Sequence, residues 1–237
     1  MKLKVSYLFV VSLLLCYFFS NVTSVKAMNT GFKTTSFSTE EKINFLSNVN
    51  ISLIKNEPPK ESVACFDVNS EGLVAIGQET QGKKIICVYS KYGDFEYGYT
   101  FNCFGDFGVE WDNDNLNIYF VRSSAIISVS PNGVVVGAFE TQNTHENNSY
   151  VNNFIYATKI TVGDEEYSIE NGMGILNFFA NSYSKVVVRD SVGSENVIYE
   201  MDSHPINTVL PFILTICIIF LGGAFVLWNI FKNNYRI

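Results

Sequence analysis

The sequence predicts an all-β ectodomain of about three to four four-stranded repeats, followed by one C-terminal transmembrane helix. Three observations carry that prediction. From residue 62 onward, short runs of β-branched and aromatic residues are punctuated by Gly, Asn, Asp and Pro, the pattern of antiparallel strands and their turns. That pattern recurs at intervals of about 40 residues, the length of one four-stranded unit. Finally, "VLPFILTICIIFLGGAFVLWNIF" (209 to 231) holds 23 residues without a charge.

The elements follow in chain order. Residues 1 to 27 have the layout of a secretory signal. Lys2 and Lys4 precede the uncharged run "VSYLFVVSLLLCYFFS", and Val25 and Ala27 supply the small residues before a cleavage point; an uncleaved anchor is the alternative. Residues 28 to 61 read as a stalk and first strand. Their opening, "MNTGFKTTSFSTEEK", is rich in Ser, Thr and charge with no sustained period, and "KINFLSNVN" fits a short helix or a strand. "NEPPKE" (56 to 61) is a break, because adjacent prolines fix two φ angles and remove two donors.

Residues 62 to 205 form the repeat domain. "FDVNSEGLVAIG" (66 to 77) leads to "KKIICVYSKYGDFEYGYTF" (83 to 101). "VEWDNDNLNIYF" (109 to 120) leads to "SAIISVSPNGVVVGAFE" (124 to 140), and "IENGMGILNFFA" (169 to 180) to "SKVVVRDSVGSENVIYE" (184 to 200). Aligned this way, an acid recurs at Asp67, Glu110 and Glu170, and a leucine at Leu73, Leu116 and Leu176. A structural role is expected for the three acids, with Glu110 hydrogen-bonding backbone inside its own unit. Four-stranded units in series are the sequence pattern of a β-propeller, complete or partial.

"SVACFDVNSEGLVAIG…KKIICVYSKYGDF" resembles the NHL and WD-type propeller repeats. The order is theirs: apolar strand, Asp, Asn/Gly turn, strand, an I-x-V-Y strand, then a Y-G-D turn. The resemblance covers 62 to 140 well and 167 to 202 loosely, and it implies a blade without implying a ligand. Propellers close with at least about four blades, and three units are counted here. A degenerate fourth blade from 43 to 61 and 145 to 166, an open propeller-like packing, and closure by a second copy all remain open.

The stretch 141 to 167 interrupts the repeat. It opens on an Asn-dense run expected to be a surface loop, and it then holds a strand candidate, "FIYATKITV", and a tight turn at "GDEE". Long loops on a rigid β scaffold are where binding residues gather. Asn143, His145, Asn147, Asn148 and Tyr150 are therefore the candidate contact residues.

The terminal helix at 207 to 231 is long enough to span. At about 1.5 Å per residue its apolar part exceeds the roughly 30 Å hydrocarbon core of a bilayer. Lys232 and Arg236 follow it in the tail, 232 to 237, whereas Glu195, Glu200 and Asp202 precede it. The positive-inside rule then puts the C-terminus in the cytoplasm and residues 28 to 206 outside. That outer part carries 23 acidic and 11 basic residues, a formal charge of −12. Such a balance excludes nucleic acid as a partner, because phosphates are bound by basic surfaces that release counterions. The expected partners are the lipid bilayer, through 209 to 231, and an extracytoplasmic protein, peptide or glycan.

Little in the chain resembles catalytic chemistry. Only His145 and His204 are present, and neither sits in a motif that would pair it with a nucleophile. Cys65, Cys87 and Cys103 lack the spacing of a zinc or redox motif, and apolar neighbours such as "IICV" mark them as small buried side chains. "DNDN" (112 to 115) begins like a calcium loop, but the positions needing an oxygen ligand, Gly and Glu hold Leu116, Asn117 and Ser123. It reads instead as the turn between two strands. No cofactor or metal is expected. The preferred function is a non-catalytic binding module, and the alternative is a membrane-bound hydrolase using rim carboxylates such as Asp106, Glu110 and Asp112.

Overall fold

Strand order follows from how the apolar residues are shared out. In "IICVY" (85 to 89), Ile86 and Val88 enter one hydrophobic core while Ile85, Cys87 and Tyr89 enter another. Successive side chains of a strand point to opposite faces, so this strand lies in a sheet that is covered on both sides. The computed structural model, which describes residues 30–80, 82–172, 182–202 and 206–234, has three antiparallel sheets.

Sheet 1 contains β2 (Ser52–Ile54), β3 (Val63–Val68), β4 (Val74–Thr80), β5 (Lys83–Tyr89) and β6 (Phe95–Phe101), in the order β2-β6-β5-β4-β3. Sheet 2 is built the same way from β7 (Phe107–Asp112), β8 (Asn115–Phe120), β9 (Ala125–Val129) and β10 (Val135–Thr141), with β1 (Thr34–Ser36) added outside β10. Sheet 3 is the meander β11 (Lys159–Val162), β12 (Glu165–Glu170), β13 (Lys185–Arg189) and β14 (Glu195–Glu200). One face of sheet 1 packs on sheet 2 through Ile86, Val88, Tyr99, Val109, Ile118 and Ile127. The other packs on sheet 3 through Phe66, Ile76, Tyr89, Tyr167, Val186 and Tyr199. Sheet 1 is the filling of a three-layer stack.

The architecture is therefore all-β, as expected, but it differs in detail from the expected propeller. Among the described residues no ladder pairs strands of different sheets, although Val63 of β3 bridges Tyr183 just before β13, and the sheets do not close into a ring. The stretch 28 to 61 supplies edge strands to two sheets, β1 and β2, joined by helix α1 (Thr39–Val49). Ser38 caps that helix. Its Oγ accepts from the Glu41 amide at 3.3 Å while the Glu41 carboxylate accepts from the Ser38 amide at 3.1 Å, the reciprocal bonds of a capping box.

The third unit also begins earlier than the sequence alignment placed it. "KITV" and "EEYSIE" form the first hairpin of sheet 3 around Gly163, whose φ of +60° suits a two-residue turn. Glu170 consequently ends a second strand, whereas Asp67 and Glu110 lie on first strands. Leu176 falls in 173 to 181, outside the described residues, as does the expected signal at 1 to 27.

Residues 206 to 234 form one helix, α3 (Ile206–Asn234), of 29 residues, with Pro211 in its second turn. Side chains are described for only part of it. Among the described residues, no helix is long and apolar enough to cross a membrane. The expectation of a span rests on the full run of uncharged residues from 209 to 231.

Candidate functional site

First strands come together at the layer boundaries: β3 packs against β7, and the first hairpin of sheet 3 approaches β3 from the other side. β3 and β7 are not hydrogen-bonded to each other as a ladder. Asp67 joins them instead. Its Oδ2 accepts from the Trp111 amide at 2.6 Å, and the Trp111 indole N–H donates to the Asp67 carbonyl at 3.3 Å. A side chain thus supplies the acceptor that a neighbouring strand would otherwise offer, and it fixes the indole at the seam.

The second acid, Glu110, faces the other side of sheet 2. Thr30 Oγ1–H donates to its Oε2 at 2.6 Å, and the Gly31 amide and the Tyr150 hydroxyl both donate to its Oε1. Glu110 therefore anchors the N-terminal segment and the 141 to 157 stretch onto β7. The expectation that it would bond backbone within its own unit does not hold; Asp67 is the acid that binds strand backbone, and it does so across two sheets. Glu170 is remote from both and pairs with Arg189 and Lys185 on sheet 3.

The Asn-rich stretch is a helix where a loop was expected. Helix α2 (His145–Tyr150) is capped by Thr144, which accepts from the Asn147 amide at 3.2 Å, and it continues into a π-helical turn, Val151–Ile155. Asn147 is buried, donating to the Lys33 and Gln142 carbonyls and accepting from the Lys33 amide at 2.8 Å. Its role is to bind the helix to the strand-forming N-terminus. Asn143, His145 and Asn148 are exposed on the far side. Close approach is possible because β7 carries Gly108, where a Cβ would lie 2.0 Å from Ile155 Cγ2.

These contacts enclose a cleft of about 430 Å³ between β3, β7 and residues 150 to 160. Asp67, Trp111, Tyr150, Asn153, Phe154 and Lys159 are on its wall. Phe154 is 63% exposed and stacks on Tyr150 with ring centroids 4.9 Å apart. Lys159 is turned to Glu166, at 2.9 Å. Burial pushes the Asp67 carboxyl up to about 6; the backbone hydrogen bonds from Trp111 and Val68 oppose the rise, and the charge of Glu110 adds to it. Burial likewise raises the Tyr150 hydroxyl, reinforced by its bond to Glu110.

The other carboxylates considered for hydrolysis do not join this wall. Asp106 is exposed in the loop before β7, and Asp112 is buried at the turn, where it accepts from Asn113 Nδ2 at 2.7 Å. Asn113 and Asp114 are the two-residue turn between β7 and β8, with Asn113 at φ +54°. A larger cleft of about 870 Å³ lies between α1 and the 102 to 104 and 120 to 123 loops. Among the described residues Arg122 is the only charged one on its wall, and burial raises the Cys103 thiol there, away from the thiolate. Cys65 and Cys87 are buried, free thiols, Cys87 pushed up to about 12 by burial. Among the described residues no group of His, Cys, Asp and Glu is arranged to hold a metal ion.

Sequence reasoning singled out Asp67 and Glu110 as recurring repeat acids and Tyr150 as a contact residue, and the structure brings all three to one cleft. It missed Trp111 as the partner of Asp67, and Thr30, Phe154 and Lys159 altogether. The phenylalanine had a local signal, an aromatic within an otherwise polar "NNF" run. Comparisons with protein-family models, with curated proteins and with solved structures find no match to this chain. The likeness of 62 to 140 to propeller repeats therefore stands on its residues alone.

Proposed function

We propose that this chain is a single-pass surface protein, anchored by residues 209 to 231, whose three-sheet domain lies outside the membrane and acts as a non-catalytic binding module. Its contact surface is the cleft between β3, β7 and the α2 region, and its ligand is a protein, peptide or glycan. One observation carries the reading. The cleft presents an exposed aromatic, Phe154, beside Asn153, while both of its acids are already engaged by the protein itself. Groups held in this way shape a surface, and aromatic side chains supply contact area at low entropic cost. Catalysis asks for an acid or base within reach of a reacting proton.

The anchoring half of the proposal draws on helix length and on charge. A 29-residue helix with 23 successive uncharged residues, basic on its far side and acidic before it, fits a span with its C-terminus inside. Carbonate washing of membranes from expressing cells should leave the full chain in the pellet; release into the supernatant refutes the anchor. Capture of partners by the full chain should be lost on Asn153→Ala with Phe154→Ala, two surface changes that leave the core intact. Undiminished capture removes the cleft as the contact surface. The hydrolase reading, expected of Asp106, Glu110 and Asp112, would pass here to Asp67, whose carboxyl burial raises to about 6. It requires a hydrolytic activity that Asp67→Asn abolishes without unfolding the domain.

A further inference from the structure

One turn recurs: it joins β3 to β4 at Asn69 to Leu73, and it also closes one later hairpin in every sheet. In each sheet the third and fourth strands are joined by a hairpin in which residue 90, 130 or 190 donates its amide to the carbonyl four residues on. Gly93, Gly133 or Gly193 then donates back to it. Each glycine has a left-handed φ, between +79° and +90°. A side chain at the first position, Ser90, Ser130 or Asp190, accepts from amides within its own turn. The three tips are copies of one part.

Two of the tips are seated on the outermost strand of another sheet. The sheet 2 tip lies on β2: a Cβ at Gly133 would be 3.1 Å from Leu53 Cβ, and the Tyr99 hydroxyl donates to the Ser130 carbonyl at 2.8 Å. The sheet 1 tip lies on β14: a Cβ at Gly93 would be 3.0 Å from the Ile198 carbonyl oxygen, and Asn196 Nδ2 donates to the Lys91 carbonyl at 3.2 Å. In both, absence of a side chain at the glycine lets the turn close on strand backbone.

The sheet 3 tip has no seat among the described residues. Nothing lies within 4 Å of the place where Gly193 would carry a Cβ, and Val192 is 89% exposed. On sheet 2 the outermost strand, β1, holds no tip, and Thr35 and Ser36 are exposed. Of the three tips between third and fourth strands, and the three edge strands away from β3, β7 and β11 (β2, β1 and β14), one of each is left over, and each is of the kind that the other binds. They belong to sheets on opposite sides of sheet 1.

We propose that these two surfaces meet between two copies of this chain. The sheet 3 tip of each copy, Asp190 to Ser194, seats on β1 of the other, so that two chains close a ring of six sheets. The contact continues the tip-to-strand packing already made twice within one chain. A contact between unlike surfaces closes a ring only when its rotation allows, and six blades lie within the four to eight that propellers use. The contact also covers an open strand edge, which unprotected invites unregulated pairing.

The test uses the full chain in detergent, carrying Thr35→Cys and Val192→Cys, mixed as isotope-labelled and unlabelled protein and then oxidised. Peptide mass spectrometry should find position 35 disulfide-linked to position 192 between a labelled and an unlabelled chain, since a bridge forms only where Cα atoms approach within about 7 Å. Native mass spectrometry of the unmutated chain should give twice the monomer mass. Val192→Asp should return it to the monomer mass with an unchanged circular dichroism spectrum, because the side chain replaced is 89% exposed in one copy. A 35–192 link confined to single chains overturns the proposal, as does a monomer at every concentration, an open series of higher species, or a dimer that survives Val192→Asp without the link.

Discussion

Sheets 1 and 3 share a topology and differ in what surrounds them. Sheet 1 is covered on both faces, so "VAIG" and "IICVY" are buried residue after residue. Sheet 3 offers one face to the core, and the other carries charge: Arg189 bonds Glu170 and Glu195, and Lys185 approaches both. Its last three strands, β12 to β14, begin and end in Glu, Lys or Arg for that reason. Units with one chain path thus acquire different compositions from their place in the stack. Burial on both faces yields continuous apolar runs; burial on one yields a mixed strand.

The largest expected effect tests the claim that sheet 1 is the centre. Ile86 is fully buried in the core shared with sheet 2. Ile86→Ala should cost roughly 2 to 5 kcal/mol, the lost transfer energy plus the cavity left behind. Urea denaturation of the variant reads this directly. A loss below about 1 kcal/mol would mean that the sheet 1 to sheet 2 boundary is not a packed interior.

The acids of the two sheets sharpen the contrast, because they respond to pH in opposite senses. Burial raises Asp67 to about 6. Burial would raise Glu170 as well, but its bonds from Arg189 and Lys185 outweigh that and hold it below the usual carboxylate range. For Asp67 the folded state keeps its proton up to about pH 6, while the unfolded chain loses it near 3.9. Through that window the folded state binds more protons, so its stability falls as pH rises, by up to roughly 3 kcal/mol. Asp67→Asn should remove this fall, seen by comparing denaturation at pH 4 and pH 7. Equal pH slopes in variant and wild type would sink the assignment.

Much of this arrangement was legible in the sequence, and the remainder was hidden for identifiable reasons. Strands and turns are local: "DNDN" gave its turn because Asn113 accepts a left-handed backbone, and the "KYGD", "PNGV" and "SVGS" tips share one chemistry. Where sheet 3 begins was not local. "ENGMG" resembles a blade turn as much as "VGDE" does, and only the pairing of Lys159 with Ser168 decides between them. The cleft was hidden for a related reason. Asp67 meets Trp111 across 44 residues, and Glu110 meets Thr30 across 80, and no periodicity encodes a partner at that distance. The Asn-rich run misled because Asn usually marks loops, whereas Asn147 spends its amide bonding the backbone of residues 33 and 142.

The smallest expected effect concerns the charged face of sheet 3. Arg189→Gln removes the bonds to Glu170 and Glu195 but leaves Lys185 between the same two acids. The loss of stability should be smaller than for Ile86→Ala, and it should shrink as salt is added. Partly exposed ion pairs contribute little and are screened within about 3 Å at 1 M salt. Glu170 supplies a second readout. Its depressed carboxyl stabilises the fold above its titration and gives that up as pH falls, so the variant should lose less on acidification than the wild type. Melting curves at low and high salt distinguish the cases. If Arg189→Gln cost as much as Ile86→Ala at every salt concentration, the outer face of sheet 3 would be a packed interior, and the difference between the two sheets would lie elsewhere.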